Sequence, residues 1–205
     1  MPKADKRSKK PDWYTLDNAG TLYAAIQKER YSAVYRFSAV MDRQVDPAAL
    51  QRAVDRTMPR FPGFRVRIKK GLFWHYFEPN DAPGPFVRPD MANPCQPVRF
   101  RENNGWLVRF FYYEKRISLE VFHALSDGAG ALTFFRTLLA VYLRELGEDI
   151  PSGSGVLDVD APPDPEEMED AYTRYAGRKV RRGGWQRTAY PNTSRAEPFY
   201  TLNVT

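Results

Sequence analysis

His123, Asp127 and Gly128 form the spacing His-x-x-x-Asp-Gly in a chain with only two histidines. An imidazole exchanges protons near neutral pH, so a histidine held rigidly at the mouth of a cleft is suited to proton transfer. Residues 117–122 alternate in character and read as a strand with apolar residues on one face. After the constellation, Leu132, Phe135, Leu138, Leu139, Tyr142, Leu143 and Leu146 recur at helical spacing, and Gly147 stands where such a helix would stop. The constellation therefore sits in a strand-turn-helix unit with His123 at the turn. A plainer reading makes His123 a strand-end residue that caps the helix or satisfies a backbone carbonyl. Ser126 has the chemistry of a nucleophile, but its place between the histidine and the aspartate is where a turn or cap residue is expected.

The elements that must hold this turn read as a mixed α/β fold. Residues 16–28 resemble an opening helix with Leu22, Tyr23 and Ile26 on one side, and residues 31–41 alternate Ala33, Tyr35, Phe37 and Ala39 in strand fashion. Asp46 followed by Pro47 is a helix start, so residues 47–58 are predicted helical with Leu50, Val54 and Met58 buried. Residues 65–69 and 72–78 flank Lys70-Gly71 and predict one hairpin. Residues 98–102 and 106–113 flank Asn103-Asn104-Gly105 and predict a second, on the stronger turn signal. The proline-rich stretch 79–97 reads as an ordered excursion or lid rather than a strand. Beyond residue 148 the character changes: 151–165 is rich in Pro, Gly and Asp, 165–175 suggests a surface helix, 178–198 a linker or crossover, and 199–204 a closing strand. No internal repeat is present.

Composition bounds the possibilities. At 205 residues, 42% hydrophobic and 14% aromatic, the chain can bury one core. No apolar run approaches the ~18–20 residues needed to span a bilayer, and the polar N-terminus has no signal-like segment. Cys95 is the single cysteine, which rules out an internal disulfide and makes a reducing, cytoplasmic setting the expectation. His75, Cys95 and His123 lack zinc-like spacing, so no metal site is expected. The net charge of +6 is patchy: residues 1–10 carry five basic and one acidic side chain, 158–170 carry seven acidic ones, and 174–187 carry six basic ones. Such runs are ordinarily solvated faces or tails, and no nucleic-acid module accompanies them, so no nucleic acid is expected as a partner. A basic surface would equally attract the phosphates of coenzyme A or an acyl-carrier protein.

His123, Asp127 and Gly128 resemble the HxxxDG signature of the chloramphenicol acetyltransferase-like superfamily. That superfamily includes peptide-synthetase condensation domains, plant acyl-CoA-dependent acyltransferases, wax ester synthases and alcohol acetyltransferases. The stretch from residue 16 to 177 is most similar to bacterial alcohol acetyltransferases, through residues 60–67, 71–74 and 121–128. The resemblance implies one half of a two-half fold: an α+β two-layer sandwich with a mixed, largely antiparallel sheet flanked by helices. It implies that His123 is the general base of an O-acyl transfer from acetyl-CoA or another acyl-CoA to a small-molecule alcohol, with no covalent acyl-enzyme and no tightly bound cofactor. It gives Ser126 no catalytic part. It implies that Asp127 turns from the cleft to pair with an arginine and brace the loop, with Arg60 as first partner and Arg65 as second, and that Gly128 supports the same loop. Phe122 stands where condensation domains have a second histidine, which fits the ester-forming branches.

The implied organisation is a basic arm at 1–13, an acyltransferase half-domain at 14–148, and a crossover at 149–205 that ends in a strand toward a missing second half. No Asp-Phe-Gly-Trp-Gly element, the second signature of many members, is present. The opposite wall of the acyl-CoA channel would then come from a C-terminal half or from a homo-oligomer, with little activity from this chain alone. The alternative is a non-catalytic remnant or binding module of the same fold.

Overall fold

The computed structural model describes residues 14–16, 18–26, 32–71 and 75–164. In chain order its elements are β1 (Tyr14–Thr15), α1 (Asn18–Ile26), β2 (Val34–Val40), α2 (Pro47–Thr57), β3 (Val66–Lys70), β4 (His75–Pro79), β5 (Val87–Pro89), β6 (Val108–Tyr113), β7 (Arg116–Phe122) and α3 (Gly128–Glu145). They form a four-stranded sheet, β2-β7-β6-β5, and a three-stranded sheet, β1-β4-β3. Every described pairing is antiparallel except β5 with β6, which is parallel, so the architecture is α+β with a mixed, largely antiparallel sheet flanked by helices.

Period-two alternation along β7 divides its residues between two cores. Ile117, Leu119 and Val121 face α2 and α3 and join a core with Leu50, Val54, Phe134, Leu138 and Tyr142. Phe122 faces the other way and packs with Leu16, Ala24, Ile68 and Leu107, under α1 and the three-stranded sheet. Ser118 and Glu120 share that second face and are buried although polar.

Helix α2 starts where the Asp46-Pro47 pair predicts: the Asp46 carboxylate accepts from the N–H groups of Ala48 (2.8 Å) and Ala49 (3.2 Å). Such a cap is worth about 1 kcal/mol. The phenol of Tyr142 on α3 accepts the Asp46 N–H at 3.0 Å and ties the two helices together. Helix α3 ends ahead of Gly147, whose φ of 91° is the left-handed stop that favours glycine. In α1, Tyr23 packs against the second core as expected, whereas Leu22 is 57% exposed and Ala24 is buried.

Two expectations are corrected here. Residues 98–102 form no strand, and Asn103–Gly105 is a 3-10 turn rather than a hairpin loop. Asn103, Asn104 and Gly105 do adopt left-handed φ values of 51°, 53° and 79°, so the turn chemistry was real but joined no strands. The hairpin that β6 makes is with β7, and Glu114 takes a left-handed φ of 48° at its turn. The proline-rich stretch does contain a strand, β5. It pairs at the outer edge of the sheet, where a proline without an N–H is tolerated. The hairpin around Lys70-Gly71 forms as β3 and β4.

Leu157 and Val159 pack against the helix-side core, and the Leu157 N–H donates to Thr137 Oγ1 at 3.0 Å. The basic arm at 1–13, residues 72–74, the surface helix at 165–175, the crossover at 178–198 and the closing strand at 199–204 lie outside the described residues.

Candidate functional site

Strand β7 runs directly into the turn that carries His123. The His123 N–H donates to the Ala33 carbonyl at 2.7 Å, extending the β2–β7 ladder one step beyond Val34 and Phe122. That bond fixes the backbone of the histidine to the sheet. Its ring is held by aromatic neighbours from two other elements. Tyr23 of α1 stacks on the imidazole at 4.4 Å between centroids and 23° between planes. Tyr35 of β2 meets it edge-on at 5.0 Å and 64°. Such ring contacts prefer these offset and edge geometries and restrict the histidine's rotation. Among the described residues no hydrogen bond engages either ring nitrogen of His123.

Tyr35 does a second job. Its phenol lies 3.0 Å from the Ser126 carbonyl and 2.8 Å from the Asp127 carbonyl, donating to that pair. Burial, and then the Asp127 carboxylate, push the Tyr35 phenol far above its usual range, so it keeps the proton it donates. One side chain thus contacts the imidazole and clamps the loop between it and α3.

Asp127 is the N-cap of α3: its carboxylate accepts the Gly130 N–H at 2.8 Å, and its carbonyl accepts the Ala131 N–H at 3.1 Å. This departs from the expected brace. Among the described residues no ion pair joins Asp127 to Arg60 or Arg65. The Arg60 Nε donates to the Asp158 carbonyl at 3.1 Å, and Arg65 lies 3.6 Å from the Asp81 carboxylate. The helix N-terminus supplies the partner that an arginine was expected to provide. Ser126 Oγ donates to the Asp127 carbonyl at 3.1 Å, and no hydrogen bond links it to the imidazole. The constellation is therefore not arranged as a Ser-His-Asp relay.

The two glycines of the turn differ. A Cβ on Gly128 would meet nothing within 4 Å, whereas a Cβ on Gly130 would come 2.5 Å from Ser126 Oγ and 3.3 Å from Asp127 Oδ1. The close approach that lets the loop fold over the helix end belongs to Gly130, and space stays open at Gly128. Beside the loop lies a cleft of about 320 Å³ between Phe61, Pro62 and Phe64 on one side and Leu125, Ser126 and Gly130 on the other. Its walls are mainly apolar, and His123 is not part of them. Among the described residues no cluster of His, Cys, Asp or Glu could hold a metal ion, and no helix is long and apolar enough to cross a membrane.

The sequence picked out His123, Asp127 and Gly128, which share this turn, and Arg60, which bonds to the Asp158 carbonyl rather than to Asp127. It missed the roles of Tyr23, Tyr35 and Gly130. Tyr35 was visible only as an inward residue of an alternating strand, and what it clamps lies 91 and 92 positions away. Gly130 was visible as the second glycine of Gly128-Ala129-Gly130.

No protein-family model and no curated protein matches the chain. Solved structures do. The X-domain from teicoplanin biosynthesis is 18% identical, with a TM-score of 0.55 over 70% of this chain and 36% of that one. The starter condensation domain of rhizomide synthetase RzmA is 18% identical, with a TM-score of 0.52 over 69% of this chain and 40% of that one. A doubly substituted form of that domain, solved in complex with C8-CoA, is 15% identical, with a TM-score of 0.54 over 69% of this chain and 38% of that one. The fold is condensation-domain-like: α+β, with a mixed sheet flanked by helices. This chain spans well under half the length of each of these structures.

Proposed function

We propose that this chain is the N-terminal half of an acyl-CoA-dependent O-acyltransferase of the alcohol acetyltransferase kind, with His123 as general base. The observation that carries the reading is the seat of His123. The imidazole is fixed at a strand-helix junction by a backbone hydrogen bond and two tyrosine rings, with no hydrogen bond on its ring nitrogens among the described residues. A base needs that combination: fixed direction, and a nitrogen open to the proton it removes. Support for the acyl donor is indirect: a condensation domain of similar fold has been captured with C8-CoA.

In the proposed reaction an acceptor hydroxyl attacks the thioester carbonyl while His123 takes its proton. The tetrahedral adduct then collapses, the C–S bond breaks, and the proton passes to the departing thiolate to give free coenzyme A and an ester. General-base help of this kind is worth roughly 10²–10⁴-fold in rate. Tyr35 and the Asp127 cap act through the histidine by fixing its loop. The apolar cleft beside Leu125 and Ser126 is of a kind that would accept a short acyl or alkyl group. The opposite wall would come from a second half, in the same protein or in a partner copy, and would supply positioning and exclusion of water.

The competing reading, a binding module without catalysis, draws on the teicoplanin X-domain, of similar fold and solved in complex with OxyB. One experiment separates the two. The protein is incubated with acetyl-CoA and a panel of alcohols, and both ester and free thiol are measured by mass and colorimetry. Ester formed in step with thiol, on a protein whose own mass does not change, is the expected result. No alcohol-dependent product, either from this chain alone or from this chain joined to a second half, would overturn the reading.

A further inference from the structure

On the face of the sheet turned from α2 and α3, charged side chains form a rung across three strands. Arg36 of β2, Glu120 of β7 and Arg109 of β6 stand side by side in register. Glu120 is fully buried, Arg36 and Arg109 have side chains only 14% and 16% exposed, and Asp90 completes the group at 3%. The two half-buried arginines are treated very differently. Arg36 makes two hydrogen bonds to Asp90 (2.8 and 2.9 Å) and two to Glu120 (2.9 and 2.6 Å), and its guanidinium lies 5.2 Å from the centre of the Phe111 ring. The Cys95 N–H adds a further bond to the same Glu120 oxygen at 2.7 Å.

Arg109 has one aligned hydrogen bond among the described residues, from Nη2 to the Gln96 carbonyl. Its Nη2 is 2.9 Å from Glu120 Oε2, close enough for an ion pair, but that oxygen receives no aligned hydrogen bond. The Arg109 Nε is buried with no partner. A guanidinium has five N–H donors, and buried ones left idle are costly. Burial, with the nearby Arg36 charge, pushes the Arg109 guanidinium below its usual range, while Glu120 opposes the shift.

Arg109 also lines a cleft of about 720 Å³, within the size range of small-molecule sites. Arg88 and Arg99 stand exposed on the same cleft, while Pro97, Val98 and Phe111 give it apolar wall. Arg88 donates to the Asn103 side chain at 2.9 Å and Arg99 to Glu102 at 3.2 Å, and all four residues line the cleft. Among the described residues that line it, Glu102 is the one carboxylate beside three guanidinium groups, with Glu120 paired to Arg109 beneath. Among the described residues, none that lines this cleft lines the one beside Ser126.

We propose that this cleft is a binding site for a small organic anion, a phosphate or carboxylate on a partly apolar body, with Arg109 at its base and Arg88 and Arg99 at its rim. Planar guanidinium groups match both headgroups in forked geometry. The site does not depend on the acyl-transfer reading.

The test is a titration with phenyl phosphate and, separately, with benzoate, following arginine Nε–H signals by NMR at constant ionic strength. The Arg109 signal is expected to shift and saturate with at least one probe, and the better probe identifies the headgroup. The double variant Arg88→Gln/Arg99→Gln, altered only at exposed side chains, should weaken that binding ~10-fold or more, while His123→Ala should leave it unchanged. Overturning results would be shifts that grow without saturating for both probes, shifts that an equal concentration of potassium chloride reproduces, or equal binding by the double variant.

Discussion

Glu120 and His123 lie three residues apart on one strand and its exit, yet the fold treats them in opposite ways. Glu120 is buried on a polar rung where one oxygen takes two hydrogen bonds from Arg36 and a third from the Cys95 backbone. His123 is held by its backbone and by the faces and edges of tyrosine rings, with its nitrogens outside any protein hydrogen bond among the described residues. A carboxylate buried between two guanidinium groups can hold elements together but is closed off from a substrate. A ring gripped by its apolar surfaces is fixed in place and keeps its polar atoms for chemistry. On the proposed reading, the comparison separates polarity that holds the fold from polarity kept for chemistry, along one strand and its exit.

The largest stability effect should follow Glu120→Ala. Removing this carboxylate leaves two half-buried guanidinium groups under-neutralised, and breaking a buried pair typically costs ~3–5 kcal/mol. His123→Ala should cost only about 1 kcal/mol, the scale of a lost ring contact. Denaturant titration of the two variants checks the contrast. Comparable losses would mean that His123 is also a structural residue.

Tyr35→Phe keeps the ring beside His123 and removes the clamp on the Ser126 and Asp127 carbonyls. A cost of about 1–3 kcal/mol is expected for the lost hydrogen bonds. If the loop positions the base, turnover should fall ~10-fold or more with little change in KM, since small displacements of a catalytic group are expensive in rate. A variant that loses stability but keeps kcat would confine Tyr35 to holding the fold. Asp127→Ala should cost about 0.5–2 kcal/mol as a lost helix cap, and Asp127→Asn should recover most of it because asparagine also caps. Were the aspartate needed for its charge, as in an arginine brace, asparagine would fail to rescue.

Acid should loosen the polar rung. Burial raises the Asp90 carboxyl, but the Arg36 hydrogen bond and charge, with help from the Met91 N–H and Arg116, more than reverse this and hold it below the usual range. The folded state therefore binds this proton less readily than the unfolded chain does. The stabilisation is present above the unfolded value near ~3.9 and is lost as pH falls through the lower folded one. Asp90→Asn should be less stable at pH 7 and lose less on acidification. Parallel stability curves for the two proteins would remove Asp90 from the account.

Much of the frame was legible because local chemistry and packing agreed. Asp46-Pro47 starts α2 by capping alone, and the spacing of Leu138 and Tyr142 on α3 matches a buried face. The false hairpin at Asn103-Asn104-Gly105 shows the limit: left-handed residues specify a turn, but pairing depends on a neighbour that residues 98–102 do not have. Strand β5 was hidden by its prolines, which an edge position tolerates. At the site, the histidine could be read from its motif, but its tyrosine seat could not, because Tyr23 and Tyr35 meet it only through tertiary packing. Glu120 gave a signal that went unread, an acidic residue inside the apolar run Leu119-Glu120-Val121.

The most direct test of the central claim is alcohol-dependent release of free thiol from acetyl-CoA by the wild-type protein and His123→Ala side by side, with both shown to be folded. The account predicts ester formation that falls by ~10²-fold or more in the variant. Equal rates in the two proteins would contradict it and move any chemistry away from His123.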